Sequence, residues 1–465
     1  MIGIIIGCIV LVIVGWSIIK GKYAPLVLMT SGIVMLACSI FFDTGSFMPS
    51  KGVAQTGNDY LNIIEFLRYS FSKQAANLAL IIMSMVGFAS YMTHIGANDA
   101  FVRIAIKPLG FVKNYPYVMV FVGFMLCKLV SMVITSAVGL GVLCMALLGP
   151  ALVAMGMNPL SLGAICATSG AVSMVLLGGS TAAAAEASSL SILDYVFLYK
   201  IPAGFPALIA MGIAHVYWQR YLDRKEGWIC ANHIGDTLVF DDKVASRSLD
   251  DKAPTWFGIL PFMPMILVVL FSEYGIEGLK LHIIGVIFLS VIIGMLAETI
   301  HQRFNFDKVA EGAKVFFQAM GRSFGGVVIL VIAAGIFADG FKALGMLSAI
   351  VNSAQSLGMG GLGMSIVFVL ITVVVSIITG SNGASFYPIV SMIPTIAKSL
   401  NIPAVTLVLP MHQASTMARP LSPVAGVVVA IAGMLKVSPF EIVKRASVPC
   451  IVALIVNHIF VFLLA

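Results

Sequence analysis

Long apolar stretches follow one another along almost the whole sequence, separated by short polar segments. A helix needs about 20 apolar residues to cross the ~30 Å hydrocarbon core of a bilayer. Stretches of about this length or longer lie near residues 2–20, 24–42, 75–95, 160–190, 194–218, 255–272, 279–300, 323–346, 403–435 and 440–464. With 60% hydrophobic and only 10% charged residues, the chain cannot cover the surface of a soluble protein. We therefore predict an all-α polytopic membrane protein.

Two further apolar stretches, 116–155 and 362–400, are too long for one helix and are interrupted by small polar residues. Polar backbone within a bilayer must be buried in protein or line a water-filled cavity. Broken helices of this kind line the substrate sites of many secondary transporters. We predict that both stretches are re-entrant hairpins, which enter the membrane and leave on the same side.

The order of segments is the same in the two halves of the chain, on either side of a polar linker at 219–254. Each half has about five spans plus one hairpin, and an odd number of crossings inverts the second half relative to the first. We predict inverted-topology repeats at 1–218 and 255–465. Within them, scaffold spans are expected at 1–113 and 255–350, and transport elements at 114–218 and 351–465. The spacing Thr135-x3-Gly139-x10-Pro150 recurs as Thr379-x3-Gly383-x10-Pro394.

Positive charge predicts how the spans are oriented. The first apolar run, 2–20, lacks a positive segment before it and is read as a retained span. With the N-terminus outside, most Lys and Arg residues, including Lys444 and Arg445, fall on the cytoplasmic side, and fewer, including Lys200, fall on the other. Both termini are then periplasmic, in a bacterial inner membrane. Topology explains the net charge of +7, so no nucleic-acid partner is expected.

Four polar clusters interrupt the apolar segments: 135–139 and 379–385 at the hairpin tips, and 178–181 and 415–423 within spans. Unwound backbone leaves free N–H groups at the start of the next half-helix, where partial positive charge favours a carboxylate. The alternative is that each hydroxyl bonds back to its own helix. The candidate substrate-binding residues are Thr135, Ser136, Gly139, Gly179, Ser180, Thr181, Thr379, Ser381, Asn382, Gly383, Ser385, Ser415, Thr416, Arg419 and Ser422.

Arg419 is the most informative of these residues, because a guanidinium within a span is costly and keeps its charge. It is expected either to pair with a substrate carboxylate or to form a fixed ion pair with Glu186. Lys128, in the first hairpin, either binds substrate or extends to the interface. His412 is a candidate for carrying a coupling proton, with a packed neutral ring as the alternative.

Segments 58–74 and 301–321 are amphipathic and are predicted to lie in the membrane interface, where they would link a fixed scaffold to a moving unit. No continuous polar stripe of a channel and no acid, base or metal cluster of an enzyme is evident in the spans. The seven cysteines are scattered without ligand spacing. A carrier without metal or cofactor is therefore favoured over a channel or a membrane enzyme.

The sequence resembles the anaerobic C4-dicarboxylate carriers of the DcuC type, within the ion-transporter superfamily. The similar stretches run in order along the chain: Tyr91–Asp99, Thr135–Leu143, Ala214–Glu226, Leu421–Ala430 and Ser438–Arg445. The resemblance implies an exchanger or proton-coupled efflux system for succinate, fumarate or malate. It also implies a homodimer with an elevator-type transport domain in each protomer, and it assigns the four polar clusters to the substrate site.

Two alternatives stay open within this fold. The substrate could be another small organic anion, such as a monocarboxylate or an amino acid. The coupling ion could be sodium, although a proton is favoured, and Glu186, His412 and Lys128 are the candidate residues for coupling or ion pairing.

Overall fold

The computed structural model describes residues 2–20, 22–43, 53, 55–105, 116–132, 134, 136–176, 178–233, 253–272, 275–276, 278–346, 349, 352 and 360–464. All regular elements in these ranges are helices. This confirms the all-α class expected from the apolar pattern.

The first half of the chain consists of α-helices with two π-helical segments among them. In order the helices are Ile2–Ile19 (α1), Ala24–Phe41 (α2), Asp59–Gln74 (α3), Leu80–His94 (α4), Ala97–Ala105 (α5), Pro116–Ser131 (α6), Ala137–Ala154 (α7), Pro159–Thr168 (α8), Gly179–Ala187 (α9), Ile192–Asp194 (α10) and Ile201–Lys225 (α11). The π-helical turn Ala75–Ala79 joins α3 to α4, and the π-helix Tyr195–Lys200 joins α10 to α11.

The second half begins with the 3-10 helix Thr255–Phe262 and contains ten described α-helices. They are Met263–Leu270 (α12), Ile283–His301 (α13), Phe306–Ser323 (α14), Ile329–Ala343 (α15), Gly361–Thr379 (α16), Asn382–Val390 (α17), Ile393–Ser399 (α18), Val405–Ala418 (α19), Gly426–Leu435 (α20) and Pro439–Leu464 (α21). The π-helical turn Phe324–Val328 joins α14 to α15, and the 3-10 turn Arg419–Leu421 follows α19.

Eight helices in the described residues are long and apolar enough to cross a membrane, or nine if α4 and α5, bent by 70°, are counted as one span. The sequence indicates ten crossings and two hairpins. The two totals differ in both directions. α7 and α16, assigned to hairpins, pass the length criterion. The apolar helices Ile2–Ile18, Pro159–Thr168 and Thr255–Leu270 are too short for it, and the predicted span 75–95 counts only as part of the bent pair.

The four polar clusters all coincide with breaks between helices. The predicted span 160–190 is divided into α8 and α9, and 403–435 is divided into α19 and α20. In each stretch predicted to be a hairpin, one helix likewise ends and the next begins at or beside the polar cluster. Gly380 ends α16 with φ +66°, and a Cβ there would lie 2.7 Å from the Cα of Ala425. Only glycine fits this turn, because the backbone is left-handed and packs directly against the second broken span.

The two amphipathic segments are helical, and each continues into a membrane span. α3 passes through its π-helical turn into α4, and α14 passes through the other into α15, so that residues Phe306–Ala343 form one stretch of 38 residues. A π-helical turn inserts a residue without ending the helix, which rotates the side chains that follow. These segments are therefore directly joined to spans rather than linked by loops.

Close packing of α2 on α15 depends on two glycines. A Cβ on Gly340 would lie 2.8 Å from the carbonyl oxygen of Gly32, and a Cβ on Gly32 would lie 2.8 Å from the backbone of Ile336. Contacts this short between backbones are typical of small residues at helix interfaces in membranes.

We expect Gly340→Ala to lower the thermal unfolding midpoint of the purified protein, because the added methyl must separate the two backbones at a cost of about 1–3 kcal/mol. Gly335→Ala, on the same helix, is the matched control, because nothing lies within 4 Å of the position that its methyl group would take. Its midpoint should stay unchanged or rise, since alanine favours helix. Equal midpoints for the two variants would contradict this account of the interface.

Near the start of the last span, Arg445 joins α21 to α11 and α8. Its side chain is completely buried. Nη1 donates to Asp223 Oδ1 (2.8 Å), Ser161 Oγ (2.7 Å) and Gln219 Oε1 (3.1 Å), and Nη2 bonds Glu226. The charge pattern of the sequence identifies Arg445 only as a cytoplasmic charge. It is instead the centre of a buried polar cluster.

Candidate functional site

A cavity of about 210 Å³ lies where the two stretches predicted as hairpins, the two broken spans and α4 meet. Of the residues predicted from the sequence, those that line it are Lys128, Gly179, Ser180, Thr181, Asn382, Thr416 and Arg419. Both predicted hairpins and both broken spans therefore contribute to its wall. Among the described residues that line it there is no aspartate or glutamate, so the charged side chains there are cationic.

Arg419 is placed in the cavity wall by the end of α19. The helix stops at Ala418, and the 3-10 turn carries the guanidinium towards Gly170, where a methyl on the α-carbon would be 3.3 Å from Nη2. Nε is buried and has no hydrogen-bond partner. No described carboxylate forms an ion pair with this side chain, so a partly buried cation faces the cavity without a protein anion to offset it.

Lys128 reaches the same cavity from near the end of α6. Its side chain is buried, and Nζ donates to the carbonyl oxygen of Val172 in the non-helical segment between α8 and α9. The side chain therefore points into the protein. Extension to the interface, one of the two alternatives considered for Lys128, is not observed. Lys128 lines the cavity together with Ser131, which the sequence did not single out.

The first broken span directs a helix N-terminus into the cavity. Gly178 is extended (φ −138°, ψ 143°) and precedes α9 without a side-chain cap, and residues 178–181 line the cavity. The first amides of a helix lack internal partners and carry partial positive charge. Here they add to the charges of Lys128 and Arg419.

Lys200 is the residue near the site that the sequence most clearly misplaces. The charge pattern assigns it to the periplasmic side, at one end of the predicted span 194–218, but it ends the π-helix before α11 and is completely buried. Nζ donates to Val175 O (3.0 Å) and to Thr181 Oγ1 (2.7 Å). A lysine at the edge of an apolar run looks like an interface anchor in sequence, because residue patterns do not reveal a π-helical turn.

His412 lies behind the cavity and connects the two halves of the chain. Its ring is buried, with Nδ1 2.9 Å from Tyr195 Oη and Nε2 3.0 Å from Ser180 Oγ. Tyr195 starts the π-helix that ends at Lys200. Both ring nitrogens therefore have partners, an arrangement that agrees with a packed histidine and that fixes the Ser180 side chain.

The hairpin tips contribute less than expected. Asn382 lines the cavity, but Ser136 and Ser381 cap their own helices by accepting from the amides of Gly139 (3.2 Å) and Ala384 (3.3 Å). Thr135 lies outside the described residues.

The other predicted residues do not line the cavity, and most of their hydroxyls bond locally. Ser415 donates to His412 O (2.7 Å), Thr379 to Val375 O (2.7 Å) and Ser385 to Asn382 O (3.0 Å), while Ser422 accepts from Val424 N (3.3 Å). Thr416, although it lines the cavity, also donates to Gln413 O (2.9 Å). Gly139 and Gly383 are likewise absent from the wall. The local-bonding alternative therefore describes most of these hydroxyls.

Glu186 lines a different and larger cavity of about 650 Å³, beside Asp194, Lys280 and His282. Its side chain is exposed and makes no ion pair with Arg419. The fixed pair considered from the sequence is therefore not formed. The two cavities are neighbours along α9, because Thr181 borders one and Ala182 borders the other.

Comparison with solved structures gives the fold. The chain superposes on the YdaH transporter of Alcanivorax borkumensis, described as having an unusual topology, with a TM-score of 0.69 and 14% identity. The match covers 94% of this chain and 97% of that one. At this identity the likeness concerns the fold alone.

Comparison of sequences gives the family. The anaerobic C4-dicarboxylate transporter DcuC of Escherichia coli strain K12 is 39% identical over 97% of this chain and 95% of its own length. A probable transporter of the same name from Vibrio cholerae is 36% identical over 98% and 96%. The model of the family described as DcuC, C4-dicarboxylate anaerobic carrier, matches residues 2–465. These matches agree with a transporter rather than an enzyme, and the chain belongs to the DcuC family of anaerobic C4-dicarboxylate carriers.

Proposed function

We propose that this protein carries C4-dicarboxylates such as succinate, fumarate and malate across the membrane, and that the 210 Å³ cavity binds them. The observation that carries the proposal is the charge of the cavity: Arg419 and Lys128 line it, and no acidic residue does so among those described. Two anionic groups on one small substrate would offset both cations. The cavity is smaller than the ~300–1,000 Å³ typical of sites for drug-sized ligands, as suits a four-carbon acid.

Each end of the substrate has a partner of different chemistry. The guanidinium of Arg419 has a planar fork that matches a carboxylate bidentately. The second carboxylate is assigned to Lys128 and to the amides at the start of α9, with Asn382 and Ser180 as neutral donors. Aligned in this way, a molecule with one carboxylate would leave one cation without a partner, which favours diacids over monocarboxylates.

The proposal also covers the arrangement of the helices in the membrane. It includes inverted-topology repeats at 1–218 and 255–465, each with scaffold and transport elements. The order of helices supports the repeats: α3–π–α4 in the first half corresponds to α14–π–α15 in the second, and a predicted hairpin and a broken span follow in each half. In an elevator-type cycle the two long amphipathic helices would be the arms between scaffold and transport elements. A homodimer in a bacterial inner membrane with both termini periplasmic completes the proposal.

Exchange of one dicarboxylate for another, or efflux coupled to protons, fits a cationic site best. Burying uncompensated charges while the site moves is costly, so a loaded site should cross more readily than an empty one. A proton remains the proposed coupling ion in preference to sodium.

The test is counterflow in proteoliposomes that contain the purified protein and are preloaded with succinate. We expect rapid uptake of labelled succinate, competition by fumarate and malate, and little competition by lactate or alanine. In Lys128→Met the KM for succinate should rise about tenfold or more, the effect of losing one charge-assisted contact.

Lys398→Met is the control, because it makes the same change at an exposed position on α18 away from the cavity. Wild-type protein that exchanges lactate or alanine but no C4-dicarboxylate would refute the substrate class. An unchanged KM in Lys128→Met would remove Lys128 from the binding site.

A further inference from the structure

The buried ammonium of Lys200 contacts two oxygen atoms and has no carboxylate partner among the described residues. Its contacts are a main-chain carbonyl, Val175 O (3.0 Å), and a hydroxyl, Thr181 Oγ1 (2.7 Å), and the same hydroxyl donates to the same carbonyl (3.1 Å). The charge lies directly behind the cavity but does not line it. Lys200 is therefore not a substrate contact. Burying a charge in the apolar interior is energetically costly, so its presence there needs another explanation.

The positions of these two oxygen atoms in the chain indicate what the charge does. Val175 belongs to the non-helical segment between α8 and α9, and Thr181 lies in the first turn of α9. In many sodium-coupled carriers the carbonyls of such unwound segments coordinate the coupling cation. Here Lys200 holds one of these carbonyls, and Lys128 holds another, that of Val172, earlier in the same segment.

The π-helix Tyr195–Lys200 fixes this arrangement. It presents Tyr195 to His412 at one end, with Oη 2.9 Å from Nδ1, and Lys200 to the first broken span at the other. His412 in turn holds Ser180 (3.0 Å). One short segment therefore secures two neighbouring residues of the cavity wall, Ser180 and Thr181, from behind.

We propose that Lys200 is a tethered cation that takes the place of a bound metal ion at the first broken span. It holds the unwound segment in its binding geometry and adds positive charge behind the α9 N-terminus, so that dicarboxylate binding needs no sodium. This inference rests on the proposed function, because it concerns the affinity of that same site for a dicarboxylate. Lys200 is a positioning residue and acts through Thr181 and the backbone.

The experiment compares wild type, Lys200→Met and Lys200→Gln in proteoliposomes and in detergent. Succinate counterflow is measured in choline, potassium and sodium buffers, and succinate binding is measured separately as a shift of the thermal unfolding midpoint. Wild type should give the same KM in all three buffers. Lys200→Gln keeps a hydrogen-bond donor while removing the charge, and serves where Lys200→Met does not fold.

We expect Lys200→Gln to fold and to raise the KM for succinate about tenfold or more with a smaller change in the maximal rate, and to lose the succinate-induced thermal shift. A sodium requirement in wild type would overturn the tethered-cation proposal. So would a wild-type KM in Lys200→Gln, because hydrogen bonding alone would then suffice. If wild type exchanges no C4-dicarboxylate, the proposed function fails and this inference fails with it; if only the variants behave unexpectedly, the inference alone is refuted.

Discussion

Arg419→Ala should remove most succinate exchange in proteoliposomes at substrate concentrations that saturate wild type, while leaving the protein folded, and Arg419→Lys should restore little of it. The guanidinium faces the cavity without a protein anion, so the carboxylate of the substrate is the group that offsets its charge. Lysine carries the same charge but not the planar fork. Losing a desolvated, bidentate partner costs about 2–5 kcal/mol of binding. The apparent affinity for succinate should therefore fall by a factor of about 30 or more.

Thermal unfolding separates binding from folding in this test. Arg322→Ala, at an exposed position near the end of α14, is the control for loss of one arginine. Without succinate, Arg419→Ala should unfold no earlier than wild type, because an unpaired, partly buried cation is removed. With succinate, only wild type and Arg322→Ala should gain stability. Exchange that survives Arg419→Ala would make this arginine a structural residue.

Glu186→Gln provides a further arm of the same experiment. If Glu186 and Arg419 formed a fixed pair, neutralising the carboxylate would destabilise the protein strongly. Because the two side chains line different cavities, we expect an unchanged unfolding midpoint.

The second large effect is expected on stability rather than on binding. Arg445→Met should destabilise the protein by about 3–5 kcal/mol, because it leaves Asp223 buried without its cation. The same change removes donors from Ser161 and Gln219, which lie on α8 and α11. The unfolding midpoint in detergent should fall by many degrees.

Lys444→Met is the matched control for Arg445→Met. Lys444 is the preceding residue and pairs with Glu226 (2.9 Å), but its side chain is 42% exposed. An exposed pair contributes about 0–1 kcal/mol, so this variant should unfold close to wild type. Equal losses in the two variants would show that burial of the Arg445 cluster does not control the stability of this helix junction.

Much of the fold could be predicted from the sequence, because lipid imposes strict rules on the backbone. Apolar length predicted most of the spans, and clusters of glycine, proline and small polar residues predicted the four breaks. Arg419 and Lys128 were identifiable because charge within an apolar run is costly. All these signals arise because unpaired backbone groups and charges are costly in lipid. The local sequence shows directly where a segment contains or lacks them.

The parts of the fold and of the site that could not be predicted depend on contacts between distant segments. Local sequence does not show such contacts. Lys200 and Arg445 both look like charges at the ends of spans, yet one contacts the first broken span and the other contacts Asp223 on a helix of the other half. Ser415 and Ser422 were predicted as ligands, because sequence does not reveal whether a hydroxyl faces a cavity or its own helix.

In the proposed cycle, movement of the cationic cavity across the membrane would make transport sensitive to voltage. Moving one elementary charge through a membrane potential of about 100 mV changes the free energy by about 2.3 kcal/mol. Where the cell interior is negative, an empty site containing Arg419 would be drawn towards the cytoplasm, and a bound dianion would reduce this bias. In the proposed cycle the resting carrier therefore waits facing the compartment in which a fermenting cell accumulates its acids.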